Sequence, residues 1–196
     1  MIRLLLICLY LILWLTIGQI IYFIIFITGK ICGEKTYNKL MLSYVKIVAS
    51  HILIIAGVHL HIEGLENIPE NESVLYIANH RSDFDSLIAY TLVKNETGFI
   101  AKIELEKILP IKIWIQALNG FLIDRNDIRQ SFKVIISAIE KIKNNISIWI
   151  FPEGTRCKSK NKLDMLEFKE GSFKIAEKTK RKLKMILFII VRFLNI

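Results

Sequence analysis

"VLYIANHRSDFDSLIAYTLVK" (74–94) decides the fold. It opens with an unbroken apolar run, Val74 to Ala78. A run that short and that greasy, with no polar alternation, reads as a strand covered on both faces. Asn79, His80, Arg81 and Ser82 break it. Residues 82–94 then take up a helical pattern, with Ser82 placed as its N-cap. A doubly covered strand that feeds straight into a helix is the first half of a β–α–β unit, so the sheet should be largely parallel.

The same alternation continues downstream. "TGFIAK" (97–102) reads as a strand, 104–118 as mostly helical with an interruption at Pro110, and "GFLIDR" (120–125) as a strand. A helix follows over 128–143, then "ISIWIFPEGTR" (146–156) as a strand running into a loop. Residues 172–180 read as a helix and 184–193 as a last strand. Upstream, "GVHLHIEG" (57–64) alternates, with Val58, Leu60 and Ile62 on one face and His59 and His61 on the other, the mark of a half-buried strand. The fold class is therefore α/β, a central largely parallel sheet flanked by helices.

Residues 4–27 carry no charge. As a helix they would extend about 36 Å, enough for a hydrocarbon core of about 30 Å. A cleaved leader would have a shorter apolar core and a small-residue cleavage site, which this run lacks. Residues 35–56 mix Lys39 and Lys46 with aliphatic residues and read as a second helix on or in a bilayer. Residues 1–56 are thus expected to be a membrane anchor, either one spanning helix or a helical hairpin.

The chain has 196 residues and a formal charge of +9. Residues 156–184 hold 11 Lys or Arg against 4 Asp or Glu. Beside a membrane helix such charge suits anionic lipid. No zinc-finger, RNA-binding or helix-turn-helix pattern accompanies it, so nucleic acid is not an expected partner. Three widely spaced cysteines, Cys8, Cys32 and Cys157, fit neither a disulfide framework nor a zinc site. They point to a reducing compartment. Lys30, Lys35, Lys39 and Lys46 follow the apolar run, which places the body on the cytoplasmic side of a single crossing.

In open α/β sheets ligands gather beyond the carboxyl ends of the strands. Three polar clusters fall there: "NHRSDFD" (79–85), the "DR" of "GFLIDR", and "FPEGTR" (151–156). His80 in the turn before a helix can meet Asp85 in its first turns, a pairing that would leave one imidazole nitrogen as a base. Asp83 competes for that place, and its simpler role is to favour the helix dipole. A metal held by His80, Asp83 and Asp85, with His59 and His61 in support, is a further reading, and a metal-dependent phosphoesterase would follow from it. Gly154, Thr155 and Arg156 offer free N–H groups, a hydroxyl and a guanidinium, an arrangement suited to an anion. Arg125 can reach the same anion, and Glu153 is expected to orient an Arg or Lys.

Taken in order and spacing, "NHRSDFD" resembles the N-H-x-x-x-x-D signature of the glycerolipid acyltransferases, "GFLIDR" their second block and "FPEGTR" their third. "FIAKIEL" (99–105) is similar to a stretch between the first two. The resemblance covers about residues 57–180. It implies that His80 is a general base for the 2-hydroxyl of lysophosphatidic acid and that Asp85 orients it. It further implies that Arg125, Gly154, Thr155 and Arg156 hold the phosphate, with Glu153 supporting them and Lys102 a weaker candidate. Acyl-CoA or acyl-carrier protein would be the donor substrate, phosphatidic acid the product, and no metal or organic cofactor would be needed. Other lysophospholipids or glycerol 3-phosphate are alternative acceptors.

The family's fourth block, a proline-containing strand, has no counterpart in "KTKRKLKMILFIIVRFLNI" (178–196). The expectation is an acyltransferase domain over 57–196 that lacks the family's carboxyl-terminal part. An inactive phospholipid-binding remnant is the alternative in another functional class.

Overall fold

The structure is a computed structural model that describes residues 2–161 and 164–179 and the backbone of 183–186 and 192–193. The chain divides into two compact units.

The first unit holds residues 1–63 and 83–92. Helix α1 (Ile2–Cys32) and helix α2 (Glu34–Ala56) are joined at Gly33, whose φ of 93° is open to glycine. The two pack as an antiparallel hairpin. Gly29 lies against the Tyr37 ring, Gly18 against Tyr44, and Gly57 against the Arg3 guanidinium. Tyr10 Oη and His51 Nδ1 share a hydrogen bond of 2.9 Å. Both helices are long and apolar enough to cross a membrane. Leu5, Leu9, Ile12, Ile20, Phe23 and Ile24 of α1 are exposed, which water alone would penalise.

The antiparallel return changes the meaning of the lysine asymmetry. Lys30 and Lys35 lie at the bend, while Arg3 sits beside Gly57 at the open end. Counting lysines across one crossing therefore does not orient this anchor.

Helix α3 (Asp85–Leu92) packs on α2 through a face that buries Ile88, Ala89 and Leu92. The expected boundary at residue 56 thus differs from the grouping by contact, because a segment from the middle of the chain joins the anchor helices. The expected strand over 57–64 is reduced to β1 (Val58–His59), paired antiparallel with β7 (Arg192–Phe193). Beyond those two residues His61 and Glu63 are exposed and pair with each other at 3.1 Å.

The second unit holds residues 64–82 and 93–189. Its sheet contains β2 (Leu75–Ala78), β3 (Thr97–Lys102), β4 (Phe121–Ile123), β5 (Ser147–Ile150) and β6 (Leu183–Ile186) in the order β4-β3-β5-β2-β6. All four pairings are parallel. Every residue of β2 and β5 is buried, as strands covered on both faces require.

On one face Leu75, Ile77, Ile148 and Ile150 meet Val134, Ala138 and Ile142 of α5 (Ile128–Lys143) and Ile175 of α6 (Glu170–Thr179). The three α5 residues recur every four positions and form one stripe. Each buried aliphatic side chain contributes about 1.5–3 kcal/mol, so this face is a main source of stability. Asp127 caps α5, its carboxylate accepting the N–H groups of Arg129 and Gln130 at 2.9 and 3.0 Å.

The other face carries a row of aromatics set by register. Tyr76 and Phe99 each lie opposite Trp149, with ring centroids 5.1 and 5.5 Å away. Among the described residues the buried Tyr76 hydroxyl has no hydrogen-bond partner. Burial, then the charge of Glu72, pushes its pKa up to about 12.

The amino edge of the sheet is fastened by polar groups. Ser73 Oγ donates to the Ile142 carbonyl at 2.7 Å, and Asn95 Nδ2 donates to the Glu72 carbonyl at 2.8 Å. Ser147 Oγ accepts the Val74 N–H at 3.2 Å, and the Ser147 N–H donates to the Glu96 carbonyl at 2.8 Å.

Most expected elements hold, with local differences. Pro110 does not interrupt a helix. It sits in the first turn of α4 (Leu109–Ala117), after a 3-10 segment over Ile103–Lys107, where its missing N–H is harmless. Helix α3 starts at Asp85 rather than at residue 82, its first helical bond running from the Ile88 N–H to the Phe84 carbonyl at 2.9 Å. The last expected strand, 184–193, is found as β6 and β7, and its residues 187–191 lie outside the described residues.

Candidate active site

Because the five strands are parallel, all their carboxyl ends open on one edge. Three of these ends lead to the polar clusters named above and a fourth carries Lys102, in the order Arg125 (β4), Lys102 (β3), 151–156 (β5) and His80 (β2).

His80 is half-buried just past β2 and is held on three sides by the segment after β5. Its N–H donates to Glu153 Oε1 at 2.6 Å, and its carbonyl accepts the Cys157 N–H at 2.8 Å. Its ring stacks on Phe151, centroids 4.3 Å apart and planes 18° apart. Those bonds draw residue 80 into the loop, which explains why the helix starts only at Asp85. The imidazole is thereby fixed on both sides of its backbone and over one face of its ring.

Glu153 is 3% exposed. Its second oxygen accepts the Leu166 N–H at 2.7 Å. The expected partner was an Arg or Lys. Among the described residues the carboxylate instead has two backbone amides as partners, hydrogen bonds of the kind a buried anion needs. Gly154 has φ 72°, a backbone conformation that calls for glycine, while a Cβ there would meet only the flexible end of Lys169. Thr155 and Arg156, next along, are exposed.

Lys102 is exposed and lies in register with Ile123, two residues before Arg125, which is also exposed. Asp124 is occupied locally, its Oδ1 accepting the Asn126 N–H at 2.9 Å and its carbonyl accepting Ser131 Oγ at 2.6 Å. Three strand spacings separate β4 from β2, about 14 Å along the edge. The structure thus joins His80, Glu153 and Gly154 directly and sets Lys102 and Arg125 beside each other further along. Asp85 is 1% exposed in the first turn of α3, and Asp83 is exposed. Among the described residues, no three His, Cys, Asp or Glu side chains gather in a geometry that could hold a metal ion.

Three participants escaped the sequence reading: Phe151, the Cys157 amide and Arg81. Phe151 was detectable, since its strand neighbours the one that ends at His80. A backbone amide leaves no mark in a sequence, and Arg81 binds carbonyls some eighty residues away.

A parallel α/β domain with a histidine clamped at the carboxyl edge by a glutamate-containing turn defines a class of catalytic scaffold rather than one protein. The comparisons narrow it. The model of the Acyltransferase family matches residues 59–190, and the chain belongs to that family. A probable 1-acyl-sn-glycerol-3-phosphate acyltransferase of Mycoplasma pneumoniae is 31% identical over 167 residues, covering 79% of this chain and 61% of the relative. The 1-acyl-sn-glycerol-3-phosphate acyltransferase of Saccharomyces cerevisiae is 31% identical over 133 residues, 66% of this chain and 43% of the relative. The crystal structure of the 1-acyl-sn-glycerophosphate (LPA) acyltransferase PlsC from Thermotoga maritima matches with a TM-score of 0.71 and 30% identity. That match covers 94% of this chain and 73% of the other. The chain spans 61% of the length of the Mycoplasma relative.

Proposed function

We propose that this protein transfers an acyl chain from a thioester to the 2-hydroxyl of 1-acyl-sn-glycerol 3-phosphate, giving phosphatidic acid. The observation that carries the reading is His80, its backbone and ring held at the sheet edge by the loop 151–157, in a chain similar to proteins named for that activity.

His80 takes the proton of the acceptor hydroxyl as its oxygen attacks the thioester carbonyl. The carbon–sulfur bond breaks, and the imidazolium returns the proton to the leaving thiolate. No acyl-enzyme, resident metal or organic cofactor enters these steps. Asp85 is assigned to brace the imidazole. Arg156 and Thr155, with Lys102 and Arg125 further along, are assigned to the phosphate, for which exposed cations at neighbouring strand ends are suited. Glu153 supports the site by holding His80 in place. The donor is acyl-CoA or acyl-carrier protein.

The protein is membrane-bound through the hairpin, with its catalytic body toward the cytoplasm and anionic lipid beside it. Three free cysteines and the basic stretch after residue 156 support that placement.

The test is transfer of a labelled acyl group from a thioester to lysophosphatidic acid by the full chain. His80→Ala should lower turnover by about 10²–10⁴-fold while membrane association is kept. Wild-type turnover in that variant would remove the general-base assignment. No turnover by the unaltered chain with either donor would remove the activity.

A further inference from the structure

Arg81 follows His80 but has no part in the chemistry above. Its guanidinium reaches into the segment after the "FPEGTR" turn. Nη2 donates to the Ser159 carbonyl at 2.8 Å and Nη1 to the Asp164 carbonyl at 3.1 Å. The segment is also tied to itself. Asp164 accepts hydrogen bonds from Ser159 Oγ and, at 2.8 Å, from Asn161 Nδ2. Asp164 N–H donates back to the Asn161 carbonyl at 3.3 Å.

The same segment supplies the groups that hold His80. The Cys157 N–H binds the His80 carbonyl, and Glu153 bridges the His80 and Leu166 amides. His80 and Arg81 are therefore fastened to one strap from both directions. The strap grips the histidine backbone, and the arginine grips the strap. A planar fork with several donors can span two carbonyls, whereas a single ammonium holds one geometry at a time.

We propose that Arg81 is a positioning residue: by joining the two parts of a strap, 157–161 and 164–166, through one backbone carbonyl of each it keeps His80 in register with the bound acceptor. This rests on the acyl-transfer reading, but the strap itself can be tested without it.

In the full chain, Arg81→Met should lower kcat by about ten- to a hundred-fold, as expected when a reacting group loses its place, and change KM much less. Arg81→Lys should recover part of that loss. Asp164→Ala loosens the strap without touching the guanidinium and should lower kcat in the same way, with the double variant no worse than Arg81→Met alone. Independently of turnover, amide exchange at His80, Cys157 and Leu166 should quicken in Arg81→Met and Asp164→Ala, as should tryptic cleavage after Lys158 and Lys160. Unchanged exchange and cleavage in Asp164→Ala would overturn the strap even if Arg81→Met failed to fold. Additive losses in kcat, or a loss confined to KM, would overturn the positioning role. If the unaltered chain transfers no acyl group, the activity reading fails while the exchange measurements still decide the strap.

Discussion

Glu153→Gln is the substitution that most directly tests how the site is held. The carboxylate accepts the His80 N–H at 2.6 Å and the Leu166 N–H at 2.7 Å, and the residue is 3% exposed. Glutamine keeps the volume and one acceptor. Its NH2 must then face one of the two amides, donor against donor. Losing one hydrogen bond to a charged group costs about 1.5–3 kcal/mol, and the opposed donors add to it. For a domain of this size that corresponds to a fall of about 4–12 °C in Tm. Glu153→Ala would lose both bonds, about 3–6 kcal/mol, which can exhaust the whole stability of a domain. Glutamine is thus the more informative change. Thermal melting and labelled acyl transfer should be measured together at low and high salt. The deficits should persist at both, because amide partners in a buried site are little screened. A kcat loss of about a hundred-fold is expected if the histidine shifts by roughly an ångström. A variant with unaltered Tm and turnover would refute the clamp. A deficit that high salt reproduces in the unaltered protein would favour an exposed ion pair instead.

Tyr76→Phe should raise stability by about 1 kcal/mol near neutral pH, because it removes a buried hydroxyl that has no partner among the described residues. In the unaltered protein the folded tyrosine stays protonated until about pH 12, while the unfolded one ionises near pH 10. Stability should therefore fall between those values, by about 1.4 kcal/mol per pH unit, and alkaline melts of Tyr76→Phe should lack that component. Gly98→Ala would set a Cβ 2.6 Å from the carbonyl carbon of Asn119, so backbone must move. The expected loss is at least about 2 kcal/mol by denaturant titration, and a normal midpoint would contradict the packing described.

Much of the fold was legible because local signals agreed with it. The α5 helix runs over the expected 128–143, since Asp127 caps it, its apolar stripe has a helical period, and Asn144 and Asn145 end it, Asn145 at φ 64°. The third strand, "TGFIAK", also falls on its expected residues. "GVHLHIEG" did not, because alternation describes the faces of a strand and says nothing of a partner, and among the described residues β1 is paired over two residues. The grouping of α3 with the anchor helices was not legible for a related reason. Chain continuity does not record which apolar face a helix buries, and α3 chose α2. At the site, His80 and the glycine turn were readable from their place at strand ends. The partners of Glu153 and Arg81 were not, since an amide or a carbonyl belongs to every residue alike.

The serine and asparagine fastening around Ser73, Asn95 and Ser147 has a practical side. It lies at the amino ends of the parallel strands, opposite the ends that lead to His80 and the 151–156 turn. Hardening the protein for crystallisation or storage should begin at that remote border, where added cohesion does not restrain His80 and the loop that holds it.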